Sequence, residues 1–250
     1  MPVHRPYHRT CRQFVDGSYA DGGQWTYVVH PAYAKSPEHY VRAFLLIQGD
    51  LQSLFQYVEP ADKNRQCYSF RIHELLLRTC IEIEANCKAI LVENGYGKEE
   101  PTMRDFQKIN ASHRLSEYES RMPIWHGNND PRKPFAAWRE GSHLDWYQAY
   151  NRVKHNRHHA FEDATLDNLI NAFCALHVIL SAQFYVNEFS PSDWLLGVES
   201  PDAQMQSGIG NFLWIGFPED WPHEARYDFD WEVLKGEENP FLLFDYSAIS

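Results

Sequence analysis

"SFRIHELLLRTCIEIEANCKAILVENGYG", Ser69 to Gly97, decides how the rest of the chain reads. Its apolar residues Ile72, Leu76, Cys80, Ile83, Cys87 and Ile90 recur at steps of 4, 4, 3, 4 and 3. At about 3.6 residues per turn, that spacing gathers them on one side of a helix. A strand would need a step of two. The opposite side carries Arg71, Glu74, Arg78, Glu82 and Lys88. Arg78 and Glu82 stand four apart and can pair. Gly95 and Gly97 end the pattern, because glycine adopts the left-handed backbone that closes a helix.

Working outward, residues 36–60, "SPEHYVRAFLLIQGDLQSLFQYVEP", predict a second helix. Ser36 stands as N-cap, Pro37 at the first helical position and Glu38 in the first turn. Val41, Phe44, Leu45, Leu51, Leu54, Phe55 and Val58 suit the helical period, and Pro60 stops it. After Gly97 comes a long polar connection with a short helix near Met103–Ile109; "HGNNDPRKP", residues 126–134, reads as a loop. Ser142 and Asp145 form a capping-box-like start for a third helix, with Trp146, Tyr150 and Val153 on one side. Thr165 caps a fourth, with Asp167 in its first turn. Its stripe is Leu166, Leu169, Ile170, Phe173, Leu176, Leu180 and Phe184.

The expected architecture is mainly α: a four-helix bundle over residues 38–189, an irregular N-terminal arm over 1–37, and a partly β, aromatic-rich C-terminal extension over 190–250. Within the arm, Gln24–His30 alternates weakly and reads as a short strand. The extension is punctuated by Pro191, Pro201, Pro218, Pro222 and Pro240 and by Trp194, Trp214, Trp221 and Trp231. Its segments "GNFLWIGF" (210–217) and "NPFLLFDYS" (239–247) read as strands.

Composition narrows the function classes. The net charge is −11 and the pI about 5.6, which argues against a broad basic face that coats nucleic acid. The five cysteines form no CxxC, so a disulfide framework and a zinc ribbon are both unexpected. The amino-terminal stretch has no apolar core of a secretory signal, and no apolar run is long enough to span a bilayer. The expectation is a cytoplasmic protein with reduced thiols and no membrane partner. No phosphate-binding loop, GxGxxG, GxSxG or kinase signature occurs, and no cofactor is expected.

One window stands against the acidic background. Arg152, Lys154, His155, Arg157, His158 and His159 fall between residues 152 and 159 with no acidic residue among them. Imidazoles exchange protons near neutral pH, and arginine holds phosphate oxygens with a fork of donors. Such a set suits RNA cleavage by its own 2′-hydroxyl, without a metal. The plainer alternative is a helix C-terminus whose dipole favours basic side chains. A metal site at His155, His158, His159 and Glu162 is a third possibility by spacing, opposed by the charge of Lys154 and Arg157. Glu82 and Glu84 are two apart on their helix and point away from each other, so they read as solvated or as partners of the basic window.

The sequence "Y-N-R-V-K-H", Tyr150 to His155, ahead of a long terminal helix, resembles the HEPN superfamily, the higher eukaryotes and prokaryotes nucleotide-binding domain. The family motif is often written R-N-x-x-x-H. Asn151 and His155 match it, and Tyr150 stands where its arginine would be. The resemblance spans residues 40–189. It implies an all-α fold, a homodimer with paired motifs at the interface, and metal-independent ribonucleases of bacterial defence or toxin–antitoxin systems. Other members bind a nucleotide or a protein partner, such as an antitoxin, without catalysis. Carried over, the resemblance implies Asn151, Arg152, His155, Arg157 and His158 as catalytic residues. His155 would move the proton and Arg152 or Arg157 would supply the missing cation. Tyr150, Lys154 and His159 would contribute to binding RNA.

Overall fold

A computed structural model describes residues 2–19, 21–189 and 205–249. The helices are α1 (Pro37–Leu54), α2 (Phe70–Glu93), α3 (Met103–Gln107), α4 (Ile109–His113), α5 (Asp145–His155), α6 (Arg157–Ala160), α7 (Leu166–Phe184) and α8 (Trp231–Leu234). Three short strands, β1 (Glu119–Arg121), β2 (Gln206–Ser207) and β3 (Trp214–Gly216), form an antiparallel sheet of order β1-β3-β2. The fold is therefore mainly helical with a small β region. Among the described residues, no helix is long and apolar enough to cross a membrane. The five cysteines are free thiols.

All six apolar residues of the α2 stripe are buried. Ser69 caps the helix by accepting from the backbone N–H of Ile72. At its end Gly95, with φ +81°, donates to the Val92 carbonyl, and Tyr96 donates to Leu91. This crossed pair satisfies carbonyls that a helix end otherwise leaves open. α2 packs against α7, α1 and α5, and α7 packs against α1 and α5, so the four long helices share one core. α7 lies at its centre. Thr165 caps it, accepting from Asn168 N–H, and every residue from Ala172 to Phe184 is buried. The expected stripe is thus only part of what α7 buries. The N-terminal segment and β1 cover its remaining side: Cys11 N–H donates to Ala182, Tyr33 Oη to Gln183, and Ser120 Oγ lies 3.1 Å from His177 Nδ1.

Several local expectations need correction. Ser36 adopts a left-handed backbone, φ 50°, and makes no side-chain cap. α1 stops at Leu54, ahead of Pro60, and buries Ile47 while Leu45 stays half-buried. Ser142 and Asp145 form no capping box, because α5 begins at Asp145 with Leu144 at the cap position. The box occurs at Thr102 and Asp105 instead. Arg78 turns to Asp50 of α1 at 2.5 Å and to Glu74 at 4.0 Å, not to Glu82, since a carboxylate across the helix pair is within its reach. Gln24–His30 is not a strand: Asp21–Val29 is a 3-10 helix, and the neighbours Tyr27 and Val28 are both buried, which strand alternation forbids on a one-sided sheet. The polar segment Glu119–Arg121 is a strand, unforeseen in the connection after Gly97. In the extension, β3 falls within 210–217. Residues 239–247 instead give a single bridge, Tyr7 to Leu242, and the 3-10 turn Tyr246–Ala248. Pro191, Trp194 and Pro201 lie outside the described residues.

The β2–β3 hairpin seats on α7 and α1 through two glycines. A Cβ at Gly208 would stand 2.0 Å from His177 Nε2, and one at Gly210 would stand 2.3 Å from Gln48 Oε1. Only a residue without a side chain allows this approach.

Candidate functional site

α5 runs antiparallel to α2. Tyr147 lies opposite Glu84, its hydroxyl donating to the carboxylate at 2.7 Å, and the Val153 backbone lies opposite His73. The buried side of α5 carries Trp146, Tyr147, Ala149, Tyr150 and Val153. Tyr150 is fully buried, and its hydroxyl accepts from Lys154 Nζ at 2.9 Å. Burial first, and the Glu84 carboxylate second, push its phenol above the ordinary tyrosine range. Glu84 is therefore a structural partner of α5. Glu82 is held above the usual carboxylate range by burial.

The helix breaks at Asn156, whose backbone is not helical, and restarts as the single turn of α6. Arg152, Lys154 and His155 occupy the last turn of α5, where the helix dipole favours them. Asn151 is half-buried; Arg152, Lys154, His155, Arg157, His158 and His159 are exposed. Arg152 donates through Nε to Asp163 at 2.6 Å. Among the described residues, His155, Arg157, His158 and His159 make no hydrogen bond or ion pair through their side chains. Five surface clefts of 220 to 400 Å³ among the described residues are lined by other residues. The structure thus brings the cations onto one exposed corner and leaves Tyr150 in the core behind them. It does not close them around a common cleft. The break at Asn156 also separates His155 from the helical spacing that a shared metal face with His158, His159 and Glu162 required. Among the described residues, no group of three or more His, Cys, Asp or Glu is placed to hold a metal ion.

Sequence reasoning missed the aromatic neighbours of this corner. Phe161 follows α6 directly, and its ring centroid lies 4.7 Å from Phe70, 5.8 Å from Tyr68 and 5.5 Å from His73. His73 is pushed below the ordinary imidazole range by burial and further by the charge of Arg157, against a hydrogen bond to the Val153 backbone. Arg157 opens the α6 turn four residues ahead of Phe161. Phe70 is 70% exposed and Tyr68 is 51% exposed. The available signal was that Phe70 lies two residues before Ile72, off the buried stripe of α2. Around the corner, Asp163 is paired with Arg152, and Asp167 with Arg65 and Arg132, each at 2.8 Å.

Compared with protein-family models, with curated proteins and with solved structures, the chain matches none.

Proposed function

We propose that the chain is an RNA-binding helical protein of HEPN type, whose α5–α6 corner contacts phosphate oxygens, and that the single chain binds RNA without cleaving it. One observation carries the reading: Arg157 and the three histidines beside it are exposed at a helix break and committed to no acid of the described chain. A guanidinium free of an intramolecular carboxylate keeps its donors for phosphate. Lys154 adds a second cation one turn away.

Cleavage asks for more. A general base must be held in place by a further group, and the developing charge needs a fixed cation. His155 has no such orienting partner among the described residues, and the arginine of the family motif is replaced by a phenol turned into the core. In an acidic protein of charge −11, the field at long range repels RNA, so binding rests on contacts at the corner and weakens steeply with salt.

The test is fluorescence anisotropy of labelled single-stranded RNA at low salt, with the same samples run on a gel in EDTA. Binding with intact RNA is expected. Products with 2′,3′-cyclic phosphate ends would overturn the non-cleaving half of the reading, and absence of binding would overturn the whole.

A second reading, a module that binds a protein partner, is favoured by Leu46 and Ile81, which are 59% and 51% exposed. They line a cleft of about 220 Å³ between α1 and α2. Leu46→Glu would then abolish a stable complex or a homodimer seen by light scattering, and an unchanged mass would count against it.

A further inference from the structure

We infer that Tyr68, Phe70 and Phe161 form a stacking platform for unpaired bases beside the α5–α6 corner, so that the ligand is single-stranded RNA. This rests on the RNA-binding reading and adds what the corner alone does not specify.

Phe70 opens α2 with 70% of its surface in water, and Tyr68 precedes the helix with 51%. Half-buried Phe161 packs against both rings and against His73. Tyr68 meets Phe161 edge-on at 88°, and Phe70 leans over it at 44°. Both rings thus already touch Phe161 before any ligand arrives, which lowers the entropy cost of ordering them on binding.

Position supplies the second half. Phe161 follows directly on the α6 turn that carries Arg157, His158 and His159, so the cations and the ring share one short stretch of chain. Cations beside exposed aromatic faces are the arrangement that single strands use: the backbone follows the charge and the bases lie on the rings. Of the acidic groups on this side, Asp163 and Asp167 are paired with Arg152, Arg65 and Arg132, while exposed Glu162, next to Phe161, makes no ion pair among the described residues, so the attraction for phosphate rests on Arg157 and Lys154. Beside Tyr68 lies a cleft of about 390 Å³ lined by Gln66 and by Glu162, Asp163 and Asp167, whose carboxylates can accept from the amino edge of a neighbouring base. A duplex hides its base faces in its own stack, so it can use the cations and not the rings.

The experiment compares three labelled ligands of about 12 nucleotides by anisotropy at low salt: single-stranded RNA, an abasic strand of the same length, and an RNA duplex. The expected result is roughly ten-fold tighter binding of the base-bearing strand than of the abasic one. The paired substitution Tyr68→Ala/Phe70→Ala should erase that preference and leave the abasic affinity unchanged. Both positions are exposed, so their loss should leave the thermal unfolding curve in place. Arg157→Ala should weaken all three ligands alike. Equal binding of base-bearing and abasic strands by the unaltered protein would overturn the platform while leaving phosphate contact intact. So would an undiminished preference in the paired variant. Failure of every strand to bind would overturn both.

Discussion

Lowering the pH from about 7 to about 5 should destabilise this fold through two histidines that no solvent reaches. His113 is fully buried with Nε2 2.8 Å from the Arg9 carbonyl, and burial pushes it down to about 3. His177 is fully buried in the middle of α7, and burial likewise pushes it down to about 3. Both stay neutral in the folded protein while the unfolded chain takes up protons near pH 6.5. The unfolded state then binds more protons, so stability is fully present above about pH 6.5 and falls as the pH drops toward 3. Between about pH 7 and pH 5, linkage gives a loss of about 2 kcal/mol for each histidine. His73 and His30, lowered mainly by burial, add in the same direction. Asp62, Glu117 and Asp167 are held below the usual range, and their contribution is lost only at lower pH. Asp130 and Glu82 are raised by burial and oppose the loss in the lower part of the window. The assay is urea unfolding, followed by circular dichroism at half-unit pH steps. His177→Gln should unfold earlier at pH 7 and show a shallower decline toward pH 5. A flat stability profile in the unaltered protein would refute the reasoning.

Other consequences are sharper in place. Gly208→Ala sets a Cβ 2.0 Å from His177 Nε2 and should cost about 1–3 kcal/mol, read as an earlier urea midpoint. Thr165→Ala removes the cap on Asn168 N–H and should cost about 1 kcal/mol in the same assay. Tyr150→Phe loses the hydrogen bond from Lys154, which should cost about 1 kcal/mol; it should leave RNA affinity unchanged, because the phenol lies behind the corner.

The four long helices were legible because each carries apolar residues at the helical period, and α2 buries all six residues of its stripe. α7 was legible as a helix but not as the centre of the core. Its buried polar groups find partners from distant segments: Gln183 meets Arg9 and Asn86, and His177 meets Ser120. The strand at Glu119–Arg121 carries no apolar alternation, and its partner comes from Trp214–Gly216. Ser36 had the composition of a cap but a left-handed backbone, and Ser142 stands two residues ahead of the cap position, which Leu144 takes. At the corner, the cations were visible in composition, and the inward side of Tyr150 followed from its spacing with Trp146 and Val153. The aromatic neighbours were not visible, because their exposure depends on where the turn after α6 lays Phe161 against the start of α2.

The central claim is that the α5–α6 corner binds RNA through phosphate contacts. It is tested most directly by the slope of log affinity against log salt for single-stranded RNA, between about 50 and 200 mM, in the unaltered protein and in Arg157→Ala. The account predicts a falling line for the unaltered protein and a slope smaller by about 0.7 in the variant, one phosphate contact fewer. Identical slopes, or affinity that ignores salt, would contradict it.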